Sequence, residues 1–131
     1  MKNIALLLSV FSLAAVPVLA HHSFAAEFDT HKPVTLKGVV TKVEWMNPHV
    51  YYYVDVKDEK GVVVNWAVEA GAPNGLYRQG WRKDSLKTGD TVTVQGFRAK
   101  AGDNHINGRA VTLPDGRKVF GGSADDGGPR N

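Results

Sequence analysis

The chain has 131 residues, 16 lysines and arginines against 13 aspartates and glutamates, a formal net charge of +3, and no cysteine. That length holds one modest domain, and the missing thiols exclude a disulfide scaffold, a thiolate nucleophile, an iron–sulfur cluster and cysteine-ligated zinc. Basic and acidic residues are interleaved, so there is no basic stripe and no nucleic-acid footprint.

The first twenty residues have the pattern of a secretory signal peptide. Lys2 gives a positive start, Ile4 to Val16 are apolar apart from Ser9 and Ser12, and Val18 and Ala20 occupy the −3 and −1 positions of a cleavage point. The apolar run is shorter than the roughly 20 residues of a spanning helix, and Pro17 ends it. The expectation is export to the periplasm, cleavage after Ala20, no transmembrane segment in the mature chain, and His21 as its first residue.

Residues 21 to 33, with His21, His22, Phe24, Phe28, His31 and Pro33, show no clean period and suggest an irregular arm. A domain over 34–120 follows. Its first strand is expected over Val34 to Trp45, with Val39, Thr41, Val43 and Trp45 alternating, and is broken by Asn47-Pro48. A second runs from Val50 to Lys57 with Val50, Tyr52, Val54 and Val56 inward and Tyr51, Tyr53 and Asp55 outward. Asp58 to Gly61 has the composition of a hairpin loop with glycine in the left-handed position. The third strand is expected from Val62 to Ala70, with Val62, Val64, Trp66 and Val68 inward and Asn65, Ala67 and Glu69 opposite.

Leu76, Tyr77, Gln79 and Trp81 suggest one short helix with Asn74 as N-cap, ending near Gly80. Thr91 to Lys100 alternates as a fourth strand in which Gly96 marks a bulge or bend. Ile106 to Leu113 makes a fifth, followed by a short pairing segment from Lys118 to Phe120. Residues 121–131, with four glycines and no large apolar side chain, are expected to be a flexible tail. Five strands with a short helix between the third and fourth predict an all-β fold, a small OB-like Greek-key barrel.

The segments HHSFAAEFD, KPVTLKGVVTKVEWMNPHV, GAPN and GWRKDSLKTGDTVTVQGFRAK together resemble a family of small exported bacterial proteins classed as domain of unknown function 6152. The resemblance implies an exported, periplasmic OB-like barrel and no particular activity.

Of the residues able to carry chemistry, His21 is the most informative. As a mature N-terminus it offers its α-amino nitrogen and ring Nδ1 to one ion, and a third nitrogen from another histidine completes a T-shaped site suited to copper. This is similar to the histidine brace of lytic polysaccharide monooxygenases and some copper carriers. His49, His105 and His31 are candidate third ligands, with His22 a weaker one. The plainer roles are a turn histidine for His49 and an exposed loop histidine for His105. Tyr51, Tyr53 and Trp45 offer a stacking platform for a sugar, although aromatic residues also pack across strands for structural reasons. Arg78, Arg82 and Lys83 suggest a solvated face pairing with Asp84 and Glu69. No nucleophile elbow, phosphate loop or metalloprotease helix is present, and strand parity gives no reason to bring Glu44 and Glu69 together. The sequence therefore favours a non-enzymatic binding or accessory module with copper as candidate ligand. The alternatives are an oligosaccharide or small-anion binder and an envelope protein-interaction module.

Overall fold

The computed structural model describes residues 24–123; the stretch expected to be a signal peptide, His21 and His22 fall within residues 1–23, which with residues 124–131 lie outside the described residues. The elements are α1 (Phe24–Glu27), β1 (Phe28–Glu44), β2 (Tyr51–Lys57), β3 (Val63–Glu69), α2 (Pro73–Arg78), β4 (Thr91–Ala99), β5 (His105–Thr112) and β6 (Lys118–Phe120). The fold is all-β, a six-stranded sheet in the order β3-β2-β1-β4-β5-β6. Neighbours in that order are antiparallel, and β3 also pairs with β5 in parallel through Ala67, Val68 and Glu69 opposite His105, Ile106 and Asn107.

The first strand is longer than its composition suggests. Where an irregular arm is expected, the chain is already in β1 at Phe28, and Pro33 is accommodated within a strand whose register against β4 slips between Phe28 and Pro33. The expected alternation of Val39, Thr41, Val43 and Trp45 fails in its first half. Leu36 and Val40 are buried and Val39 is exposed, whereas Val43 and Trp45 pack against the core. A register shift against β2 between Val40 and Lys42 accounts for this, because one extra residue reverses which parity faces inward. Gly96 behaves as expected. The register against β5 slips beside it, and a Cβ there would collide with the Asn107 carbonyl oxygen.

The β2–β3 hairpin is closed by the Asp58–Gly61 turn. Gly61 has φ +79°, its N–H donates to Asp58 O, and the Asp58 N–H donates to Val62 O. Val62 therefore belongs to the turn and is exposed, instead of opening the inward row of β3. In α2 the N-cap is Ala72, without a side-chain hydrogen bond, and Pro73 starts the helix where an N–H would be unused in any case. Asn74 thus sits inside the helix and is not its cap. Trp81 follows the helix beyond Gly80; its indole is buried and donates to Phe120 O at 2.8 Å.

That bond helps hold the last described segment. Gly71 N–H donates to Gly121 O, Gly121 N–H donates to Arg109 O, and both Gly121 and Gly122 are buried, so the chain stays packed past the point where the tail was expected to begin. The core proper is built from Leu36, Val40, Val50, Tyr52, Val54, Val68, Leu76, Trp81, Val92, Val94, Ile106 and Val111. Among the described residues no helix is long and apolar enough to cross a membrane.

Candidate functional site

Strand register brings together residues that are far apart in sequence. Tyr51 on β2 pairs with Glu69 on β3 on one side and with Glu44 on β1 on the other. Paired residues share a sheet face, so Glu44, Tyr51 and Glu69 form one row on the face turned away from the core. Parity therefore does align Glu44 with Glu69, contrary to expectation, because the bulge in β1 resets it. The parallel β3–β5 pairing adds Asn107 beside Glu69 and His105 beside Ala67 on that same face.

His49 reaches this row from the loop before β2. Val50 N–H donates to Gly71 O and Val50 O accepts from Ala70 N–H, which ties the loop to the end of β3. The result is a contact of 2.6 Å between His49 Nδ1 and Glu69 Oε1. On the other side, His105 Nε2 lies 3.4 Å from Glu69 Oε2. His105 does not sit in the preceding loop; it opens β5, and the Asn104 carbonyl accepts from Ala67 N–H to fix its position. Glu69 is only 5% exposed although it faces away from the core.

The cover comes from the N-terminal side. The Phe28 ring meets His105 edge-on with centroids 5.2 Å apart, Phe24 stacks on Phe28 and meets Phe97 edge-on, and the Arg109 guanidinium lies over Phe24. Lys100 anchors the α1 segment, donating its backbone N–H to Glu27 O and its Nζ to Ala25 O. The described chain therefore begins on the His105 side of the cluster.

The electrostatics of the cluster centre on Glu69. Burial pushes its carboxyl upward, but the neighbouring His105, His49 and Tyr51 outweigh this and hold it below the usual carboxylate range. His105 is raised above the usual imidazole value by Glu69, against an opposing burial effect, with smaller contributions from Asp103 and Glu27. Tyr51 is raised by burial first and then by the Glu69 charge. The cluster thus favours the charged form of the Glu69 carboxylate.

Two of the sequence candidates, His49 and His105, meet here, and Tyr51 joins them. Tyr53 lies further along the same face, where its hydroxyl donates to Glu44 Oε2 and Lys42 sits over its ring while pairing with Glu44. Trp45 packs against the core instead and does not extend a Tyr51/Tyr53 platform. His31 is exposed on β1, its backbone N–H donating to Asp29 Oδ1. Glu69 has left the basic face proposed for it: Arg82 stacks on the Tyr77 ring at 3.9 Å and donates to Trp81 O. Among the described residues no three histidine, aspartate or glutamate side chains already form a cage for an ion. Sequence reasoning missed Glu69 and Asn107 as site residues. The hairpin turn carried the signal for Glu69, because counting back from Lys57 opposite Val63 places Tyr51 opposite Glu69.

The family described as "Family of unknown function (DUF6152)" matches residues 9–108 of the chain. The chain belongs to that family. No curated protein and no solved structure matches it. In this DUF6152 protein the matched span contains His49, Tyr51, Glu69, His105 and Asn107, and ends just after the β3–β5 pairing that assembles them.

Proposed function

We propose that this protein is an exported, non-enzymatic metal-binding module of the periplasm, with copper as its ion. After cleavage behind Ala20, His21 supplies an amino and a ring nitrogen, and the histidines at the β3–β5 junction supply the rest. The sheet is taken to be an OB-like barrel, a reading supported by the run of pairings from β3 through β2, β1, β4 and β5 back to β3.

One observation carries the functional reading: two histidines, one from the loop before β2 and one at the start of β5, converge on a buried carboxylate. With Nδ1 held by Glu69, His49 keeps Nε2 free on a side chain that is 40% exposed, the arrangement by which carboxylates orient metal-binding imidazoles. Phe24 stacks on Phe28, whose ring meets His105, and three residues of chain span at most about 11 Å, a length that supports His21 reaching the cluster.

Copper(II) titration of the processed chain, followed by electron paramagnetic resonance, tests this against a form carrying one residue ahead of His21. Tight nitrogen-rich binding by the processed form alone supports the reading, and equal weak binding by both forms rejects it. The row of Lys42, Glu44 and Tyr53, exposed at Lys42 and half-buried at the other two, supports the second reading, a sugar or small-anion surface. A tryptophan fluorescence change on sugar addition is its readout.

A further inference from the structure

We propose that Glu69 Oε2, His105 Nε2 and Asn107 Oδ1 form the seat of one divalent transition-metal ion, with His49 holding the carboxylate from behind. The inference builds on the metal-binding reading above but assigns the donors differently: two of the three are residues no histidine-based argument names.

The distance between the first two donors is informative. At 3.4 Å, His105 Nε2 and Glu69 Oε2 are too far apart for a charge-assisted N–H···O bond, which closes to about 2.7–2.9 Å. Two ligands of one tetrahedral ion, each about 2.0–2.1 Å from the metal, lie about 3.3–3.4 Å from each other. The other oxygen of the same carboxylate has a full hydrogen-bond contact, at 2.6 Å with His49 Nδ1, so Glu69 is held firmly and the looser spacing is confined to one side.

The second observation concerns unpaired atoms. His105 Nε2 and Asn107 Oδ1 are both buried without a hydrogen-bond partner among the described residues. Buried polar atoms are nearly always paired, and two orphans beside one buried carboxylate ask for a shared partner. Asn107 is only 3% exposed, next to Glu69 in the register and two residues from His105 on the same strand face. The residue opposite His105 is Ala67, whose small side chain fills little of the space between the strands.

One imidazole nitrogen, one carboxylate oxygen and one amide oxygen suit a borderline ion such as zinc(II) or copper(II). Calcium prefers six to eight oxygens, and copper(I) prefers sulfur. The nearby Glu27 charge, felt by both His105 and Tyr51, adds to the attraction for a dication. In this arrangement His49 acts as a positioning residue through Nδ1.

The test uses the chain with one residue ahead of His21, which removes the amino-terminal chelate, and zinc(II) as probe in competition with a chromophoric chelator. Binding of one zinc per chain is expected. His105→Ala should weaken it about 100-fold and Asn107→Ala about 10-fold, Asn107→Asp should tighten it, and His49→Ala should weaken it about 10-fold. Near-ultraviolet circular dichroism reports the fold of each variant; if His105→Ala does not fold, the Asn107 pair decides. X-ray absorption of the zinc form should show one imidazole per metal. Failure of the extended chain to bind zinc, indifference to both Asn107 substitutions, or two or more imidazoles on the metal overturns the seat. If the extended chain keeps zinc and copper(II) binding ignores the extension, the amino-terminal reading falls and the seat stands. If the extension abolishes binding of both ions, the seat falls and the amino-terminal reading stands.

Discussion

Tyr51 and Tyr52 are consecutive in one strand, yet they belong to two differently built interiors. Tyr52 points into the apolar core, where its hydroxyl is buried and has no hydrogen-bond partner among the described residues, and burial raises its phenol. Tyr51 points to the opposite face, beside Glu69 in a polar cluster roofed by Phe28 and α1. The inner region is held by close packing, which any apolar side chain of the right volume can supply. The outer one depends on particular polar atoms meeting, so it tolerates substitution poorly and offers chemistry.

The largest expected effect tests the packed side. Trp81 is fully buried against Tyr52 and ties β6 to the core through its bond to Phe120 O. Trp81→Ala should destabilise the protein by about 3–5 kcal/mol, read as a lower urea midpoint, while the His49–Glu69 pair keeps its imidazole signals in NMR at temperatures where the variant is folded. A simultaneous loss of those signals would show that the two regions are one cooperative unit.

Glu69→Gln tests the polar side. It keeps the shape but removes the charge that His49 and His105 share, at a cost of about 2 kcal/mol near neutral pH. The pH dependence follows from the signs of the shifts. Glu69 is lowered in the folded state, so its stabilisation is present above the ordinary carboxylate value of 4.5 and is lost as pH falls through the folded value. His105 is raised, so its stabilisation is full below the ordinary 6.5 and is lost as pH rises through the folded value. The metal-free protein should therefore be most stable between those two reference values, with a fall on either side that Glu69→Gln flattens. Denaturation midpoints across that pH range give the answer, and an unchanged profile in the variant would assign the stability of the cluster to its apolar roof.

How much of this is legible in the sequence follows the same division. The inner row is written in period-two alternation, so Tyr52, Val54, Val68, Val92 and Val94 are found from the pattern alone. The pattern misleads at Val39, where a bulge that leaves no mark in composition reverses the parity of β1. The outer cluster is legible only as separate histidines. Glu69 and Asn107 look like ordinary solvent-facing polar residues, and nothing local reveals that a parallel pairing between β3 and β5 and a short covering segment will bury them. Non-local pairing and burial by a distant segment are properties of the assembled sheet, not of any stretch of it.

The smallest expected effects give the sharpest form of the comparison, because the same chemical change is made at neighbouring positions. Tyr51→Phe removes a hydroxyl that helps hold the Glu69 carboxylate in its charged form and should cost about 1 kcal/mol, with His105 moving further above its ordinary value as a remaining partner of that charge. Tyr52→Phe removes a hydroxyl whose burial is uncompensated, at a site where the ring keeps its packing against Trp81, and should leave stability unchanged or raise it by up to about 1 kcal/mol. Opposite signs in paired urea titrations would establish that one strand serves a packed interior on one face and a hydrogen-bonded one on the other. Equal losses would mean that the Tyr52 hydroxyl has a partner in solution, an internal water being the simplest, and that the inner region is less purely apolar than its side chains indicate.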